Sequence, residues 1–277
     1  MYIAQIEMII LVAPIIIILL FAPDLFAWGF ETHINIGLNI IETTSIQFIK
    51  NFPAHFLLGN IFPDFFNLFK NFSSLKKSLN THSWQTVSHL FSNAKNDEEK
   101  SFAHGYAAHL SADIIAHNNF IPNYFLLKSN KKVFAHFLTE TAEESFNNKK
   151  FRSSLYYLLD NAAELGEAFL RVKNIDRNYF KKQIKYIKFG LFYHYTLNIG
   201  KISQNIRKKS NPDFEKECTK YQDDALNYAK EAVENGFSKF VKYDPTGTLK
   251  MKKAKEMRKK LIVDLGKKGV SGLKPKV

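Results

Sequence analysis

The chain has 277 residues, 45% of them hydrophobic, with 39 Lys and Arg against 26 Asp and Glu, a net charge of +13. Apolar content at this level, with 26 Phe and 12 Tyr, excludes a disordered chain, and 12 Gly with 8 Pro excludes collagen-like and low-complexity classes. The single cysteine, Cys218, excludes an intramolecular disulfide framework, a Cys-rich zinc finger and an iron–sulfur cluster, so any bound metal must be held by His and carboxylates.

From Met8 to Ala22 the sequence MIILVAPIIIILLFA carries no charge. It is short for a membrane span and suits the apolar region of a secretory signal. Ala27 is an acceptable small residue for signal cleavage, which would make Trp28 the new N-terminus. The first seven residues hold Glu7 and no Lys or Arg, whereas a signal usually starts with positive charge, so an uncleaved membrane anchor is the alternative. Either way residues 28 onward are expected to be exported, as a secreted, periplasmic or cell-surface protein.

After Trp28 apolar residues recur three and four apart over residues 33–50, 101–120, 131–147, 152–172 and 176–200, which predicts helices. Pro53, Pro63, Pro122 and Pro212 fall between the runs. Loops are expected near residues 51–81, 92–100, 121–130 and 205–212, and a long helix over 213–239. Clean alternation of period two is scarce. The expected fold is all-α, a single helical bundle over residues 28–245 with its metal site in the N-terminal half. Residues 246–277 follow as a basic C-terminal tail; residues 250–277 alone carry 11 Lys or Arg against two acids. Such a tail is either solvated or attracted to anionic lipid, nucleic acid or an acidic partner.

The chemistry is concentrated on the helix over 101–120. There His109, Asp113 and His117 stand four apart and share one face. Ala107, Ala108, Leu110, Ala112, Ile114, Ile115 and Ala116 surround them, so the helix is apolar nearly all round and belongs in the centre of the bundle. A carboxylate and two imidazoles placed there are costly unless paired or metal-bound. His136 and Glu140 repeat the one-turn spacing on the next helix, an arrangement by which bundles build dinuclear metal sites. Trp28, His33, Asp64, His82, Ser83 and Trp84 add potential donors in loops or at helix starts.

Read in order, the motifs are Trp28-Gly with His33 five residues on, Gly59-x-x-x-Pro63-Asp64, His82-Ser83-Trp84, His109-x3-Asp113-x3-His117-Asn118 and His136-x3-Glu140. This set, over residues 28 to 145, closely resembles the zinc-dependent phospholipase C family, whose fold is shared with fungal single-strand zinc nucleases. The resemblance implies three zinc ions. One would be held by Asp64, His82, His109 and Asp113, and a second by His117, His136 and Glu140. The third would be held by His33, by Asp113 as a bridge, and by the backbone amine and carbonyl of Trp28. A free α-amine has an unperturbed pKa of about 8, so the last ligand would give signal cleavage a chemical purpose. The departure is at His117, four residues after the bridging Asp113 where the best-known members have six. Bacterial relatives also use the shorter spacing, and His117 is kept as a ligand. His55, His89, His104 and His194 match no metal position.

The resemblance implies a zinc-dependent phosphodiester hydrolase, with a phospholipid or membrane surface as substrate. A zinc-bound hydroxide would attack the phosphorus, and Asp64 is the candidate catalytic residue that positions or deprotonates it. Aromatic segments Ile61 to Phe69 and Asn118 to Leu127 could meet a bilayer, or stack nucleotide bases in a nuclease acting on nucleic acid. For Phe62, Phe65, Phe66, Phe120 and Tyr124 plain core packing is the competing reading. A non-catalytic, membrane-associated zinc module is the third alternative.

Overall fold

The computed structural model describes residues 29–66, 79–128, 132–146 and 151–268, and among them no strand occurs. The first helices are α1 (Phe30–Thr43), α2 (Gln47–Asn51) and α3 (Pro53–Gly59), followed by a 3₁₀ turn at Phe62–Phe66. Then come α4 (Trp84–Asn93), α5 (Asp97–Ile115), a π-helical turn at Ala116–Phe120, α6 (Ile121–Lys128) and α7 (Lys132–Glu144). The second half holds α8 (Phe151–Asp160), α9 (Ala162–Leu165), α10 (Glu167–Val172), α11 (Arg177–Thr196), α12 (Ile199–Ser210), α13 (Phe214–Glu234) and α14 (Thr248–Lys268). The all-α expectation holds.

Helix α5 forms the axis. Asn96 caps it by accepting from Glu99 N–H at 2.9 Å, and Asp97, Glu98 and Glu99 place negative charge in its first turn, where the helix dipole favours it. Beyond that turn nearly every residue is buried, Phe102, Tyr106, His109 and Asp113 included. The surrounding layer is α2, α3, α4 and α13. Backbones of α3 and α5 touch because Gly59 and Gly105 face each other across the contact: a Cβ on Gly105 would stand 2.0 Å from the Phe56 carbonyl oxygen.

The 3₁₀ turn puts Phe62, Phe65 and Phe66 inside rather than on the surface. The Phe62 ring lies 5.1 Å from Phe102, 4.9 Å from Phe169 and 5.4 Å from Phe180. Phe120 and Tyr124 are buried too, packing with Phe214 and Tyr221. These five rings are therefore core, and a role for them at a bilayer or nucleotide surface is ruled out by their burial.

Several expected loops are partly helical. Pro53 is the first residue of α3, a position where the missing N–H costs nothing and the fixed φ suits the helix, and Pro122 is the second of α6, which continues directly from the π-helical turn. The basic stretch expected as a tail is helical to Lys268 and buries Met251 and Ala254 in the core shared with Phe120 and Ile121. The apolar run Met8 to Ala22, Ala27 and Trp28 lie outside the described residues. No helix among the described residues is long and apolar enough to cross a membrane.

Candidate metal centre

Four separate segments bring titratable side chains to one point. Helix α1 carries His33, the 3₁₀ turn Asp64, the turn before α4 His82, and α5 both His109 and Asp113; the π-helical turn adds His117. Asp113 is the hub. Its Oδ1 lies 3.5 Å from His33 Nε2, and its Oδ2 lies 3.2 Å from His109 Nε2, 3.4 Å from His82 Nε2 and 3.8 Å from His117 Nε2. Asp64 Oδ1 accepts from His82 Nε2 at 3.2 Å and stands 3.8 Å from His109 Nε2. The His33 and His109 rings stack with centroids 4.0 Å apart.

These spacings resemble the edges of a coordination shell. Zinc bonds of about 2.0–2.1 Å at tetrahedral angles place neighbouring donor atoms about 3.3–3.4 Å apart. Two triads, His33 with Asp64 and His109, and His82 with His109 and Asp113, have their donor atoms within 4.8 Å of one another. Both ring nitrogens of His33 and both carboxylate oxygens of Asp113 are buried without a hydrogen bond. His33 Nε2 and the Asp113 oxygens, which face one another across the cluster with no hydrogen bond, fit a cation as the missing partner.

Orientation of the donors follows from their neighbours. His109 Nδ1 lies 2.9 Å from the Asn60 carbonyl oxygen. An oxygen of that kind only accepts, so Nδ1 carries a hydrogen and Nε2 is the nitrogen of His109 left to bind a metal. Asn60 also donates through Nδ2 to the His33 carbonyl at 2.6 Å, tying α1 to the same corner. Thr81 Oγ1 lies 3.1 Å from His82 Nδ1. Asn60 was not singled out by sequence; its place beside Gly59, before Pro63-Asp64, is the signal that could have found it.

The electrostatics set His82 apart from His33 and His117. Burial opposes charge on His82, but the Asp113 and Asp64 carboxylates outweigh it and raise its pKa to about 9. Burial lowers His33, helped by His109, and lowers His117 to about 4. For Asp113 burial works against the charged form, yet His109, His33 and His82 hold it well below the usual carboxylate range. Glu140 is buried, and burial followed by the charges of Asp64 and Asp113 raises its pKa well above the usual range. The cluster thus draws positive charge to Asp64 and Asp113 while keeping His33 and His117 neutral, the form in which imidazole binds metal.

Glu140 comes from α7 and lies close enough to Asp64 and Asp113 to feel their charges; the side chain of His136 and all of Trp28 lie outside the described residues. The π-helical turn, Ala116–Phe120, begins directly after α5 and carries His117 as its second residue. There Asn118 Nδ2 donates to the carbonyls of Ile114 at 3.0 Å and Asp244 at 2.8 Å. Ser83 caps α4, and Trp84 Nε1 donates to the Tyr243 carbonyl at 3.0 Å. The remaining histidines stand apart: His55 approaches Glu98 at 3.9 Å, His104 Nδ1 meets the Lys100 carbonyl at 2.8 Å, His89 is exposed, and His194 lies on α11.

A second group of acids lies behind α1. Glu143 accepts from Thr32 Oγ1 at 2.8 Å and from Gln222. Glu144 accepts from Glu31 N–H at 2.9 Å, and Glu31 accepts from Tyr195 O–H at 2.8 Å while Arg152 stands 3.6 Å away. None of these residues was legible as part of the site, because their partners come from α7, α8, α11 and α13.

No curated protein and no solved structure matches the chain. The family model for zinc-dependent phospholipase C matches residues 32–232, most of the chain and the whole span from His33 to α13. With a buried His and Asp cluster of metal-holding geometry inside that span, the protein belongs to the zinc-dependent phospholipase C family.

Proposed function

We propose that the protein hydrolyses the phosphodiester of a phospholipid at this cluster, using three zinc ions. The observation that carries the reading is the convergence of His33, Asp64, His82, His109, Asp113 and His117 on one buried point inside the matched span. Asp64, His82, His109 and Asp113 are the set for one ion, and His117, His136 and Glu140 for a second. His33, Asp113 and the free amine and carbonyl of Trp28 are the set for the third. Bound zinc supplies Lewis acidity toward a phosphoryl oxygen and lowers the pKa of water to near 7.

The chain's own residues do the rest. Asp64 is the proposed acceptor for the proton of the attacking water. Asn60 keeps His109 in the tautomer that leaves Nε2 bare. Burial of His33, Asp64, His109 and Asp113 strengthens each charge interaction among them by excluding water. Export with cleavage after Ala27 belongs to the same proposal, since it frees the Trp28 amine. The family to which the chain belongs favours phospholipid over nucleic acid as substrate, and with Phe62, Phe65, Phe66, Phe120 and Tyr124 buried, those aromatics give a nuclease no stacking platform.

The test is metal analysis by mass spectrometry with N-terminal sequencing of protein from an exporting host, followed by hydrolysis assays. Near three zinc ions per chain, Trp28 at the terminus, and activity on phospholipid but not on single-stranded DNA are expected. A chain with Trp28 free and no zinc would overturn the proposal, and activity confined to DNA would replace the substrate.

A further inference from the structure

Helices α11 and α12 display apolar side chains for which the core has no use. On α11 the buried residues are Phe180, Gln183, Ile184 and Ile187. The opposite face turns outward, with Tyr186 58%, Phe189 61% and Phe192 57% exposed. Phe189 and Phe192 flank the Tyr193 ring at centroid distances of 4.7 and 5.5 Å, so the rings form one ridge. On α12 Ile202 and Ile206, one turn apart, are 52% and 44% exposed. Water is a poor environment for such rings and branched chains, and a contiguous set of them marks a contact surface.

The charge that the two helices themselves carry is of one sign. From Arg177 to Pro212 the sequence contains nine Lys or Arg and no Asp or Glu. Lys181, Lys188 and Lys208 are taken up by Glu164, Asp160 and Glu215. Lys182 and Lys185, exposed within a turn or two of Tyr186 and Phe189, make no ion pair among the described residues, and neither do exposed Lys201 and Lys209 beside Ile202 and Ile206. Aromatic rings and aliphatic chains rimmed by free lysines are the composition that settles at the boundary between anionic headgroups and acyl chains. Stacking on nucleic acid would use the rings and lysines but leave Ile202 and Ile206 without a role.

Both helices rest on elements of the metal centre. Tyr195, near the end of α11, donates to Glu31, two residues before His33, under the Arg152 guanidinium 3.9 Å from its ring. Helix α12 packs along α7, which carries Glu140. We propose that the outward faces of α11 and α12 dock the protein on an anionic phospholipid bilayer. The choice of a bilayer rests on the phospholipase reading given above.

The test uses zinc-loaded protein beginning at Trp28, without the apolar Met8–Ala22 run, and flotation with vesicles of phosphatidylcholine, alone or with 30% phosphatidylserine, as the probe. Wild type should float with the anionic vesicles and lose that binding in high salt. Phe189→Ser with Phe192→Ser, and separately Lys182→Glu with Lys185→Glu, should each weaken binding by about tenfold or more. Their melting temperatures and zinc content should match wild type, and so should their hydrolysis of a short-chain phospholipid below its micelle concentration. Wild type that ignores anionic vesicles, or variants that bind them as wild type does, would overturn the proposal. So would a dimer in sedimentation that the Phe variants dissociate, since a second copy would then cover the ridge, or binding to single-stranded DNA instead of vesicles. Vesicle binding by a protein that hydrolyses no phospholipid would keep this surface and remove the proposed activity; hydrolysis of the short-chain lipid without vesicle binding would do the reverse.

Discussion

Substituting Gly105→Ala tests whether helix spacing sets the metal centre. A Cβ at residue 105 would stand 2.0 Å from the Phe56 carbonyl oxygen, and real Cβ contacts do not fall below 3.0 Å. Backbone cannot swing aside as a side chain does, so α3 must retreat from α5 by about 1 Å. Asn60 follows α3 directly, and its carbonyl accepts from His109 Nδ1 at 2.9 Å. The same retreat takes that distance to about 3.9 Å, beyond hydrogen-bond reach. Overpacking costs about 1–3 kcal/mol and the lost buried bond about 1–3 kcal/mol. Together they remove a large share of a domain stability of about 5–15 kcal/mol. Zinc affinity should fall by about 10–100-fold as His109 loses its orienting partner. Chemical denaturation of the chelated protein reads the first effect, and competition with a chromogenic chelator reads the second. Gly190→Ala on α11, where a Cβ meets nothing within 4 Å, is the control and should be neutral or slightly stabilising. A Gly105→Ala protein within about 0.5 kcal/mol of wild type and with unchanged zinc affinity would refute the link between helix contact and ligand orientation.

Asp64→Asn should cut phospholipid hydrolysis by about 10²–10⁴-fold while part of the zinc stays bound; turnover at the wild-type rate would remove Asp64 from its proposed role. Glu143→Gln should stabilise the chelated protein at pH 8 and change little at pH 5. Burial raises the Glu143 pKa to about 8, against the donated bonds from Gln222 and Thr32. Between the ordinary value of about 4.5 and that pKa the folded state holds a proton that the unfolded state has released, so stability falls as pH rises through this window and the variant escapes the loss. Melting curves at the two pH values check it; a variant equally or less stable at pH 8 would mean that Glu143 is already ionised in the fold.

The sequence already exposed the middle of the site, for a physical reason. His109, Asp113 and His117 lie on one helix, where a spacing of four fixes a shared face, and their apolar neighbours announce burial. His33, Asp64 and His82 lie on other segments, and only the ordered motif of the family resemblance joins them. Asn60 shows the limit: it acts mainly through its backbone carbonyl, which every residue owns, so its type and spacing say little. The aromatic segments around Asp64 and Asn118 show another limit, because a Phe before a site and a Phe inside the core read alike until packing partners from α10, α11 and α13 are known. Conversely, α11 has apolar residues on both faces, and periodicity does not tell which face the core takes.

The half of the chain without a metal motif supplies the other wall of the metal centre. Asp244 accepts from Asn118, next to His117, and Tyr243 accepts from Trp84, two residues after His82. Gly247, at φ +59°, leaves room for the His117 backbone, where a Cβ would stand 2.2 Å from the carbonyl oxygen. Tyr195 holds Glu31, Gln222 holds Glu143 behind Thr32, and Lys173 donates to Thr86 at 2.9 Å. Each contact reaches a segment that carries a proposed ligand or lies within a turn of one. Ligands from separate segments converge only if every segment is held from behind, because burying Asp113 and three imidazoles together gains nothing until a cation joins them. Residues 151–247 therefore keep the cluster assembled against its own cost.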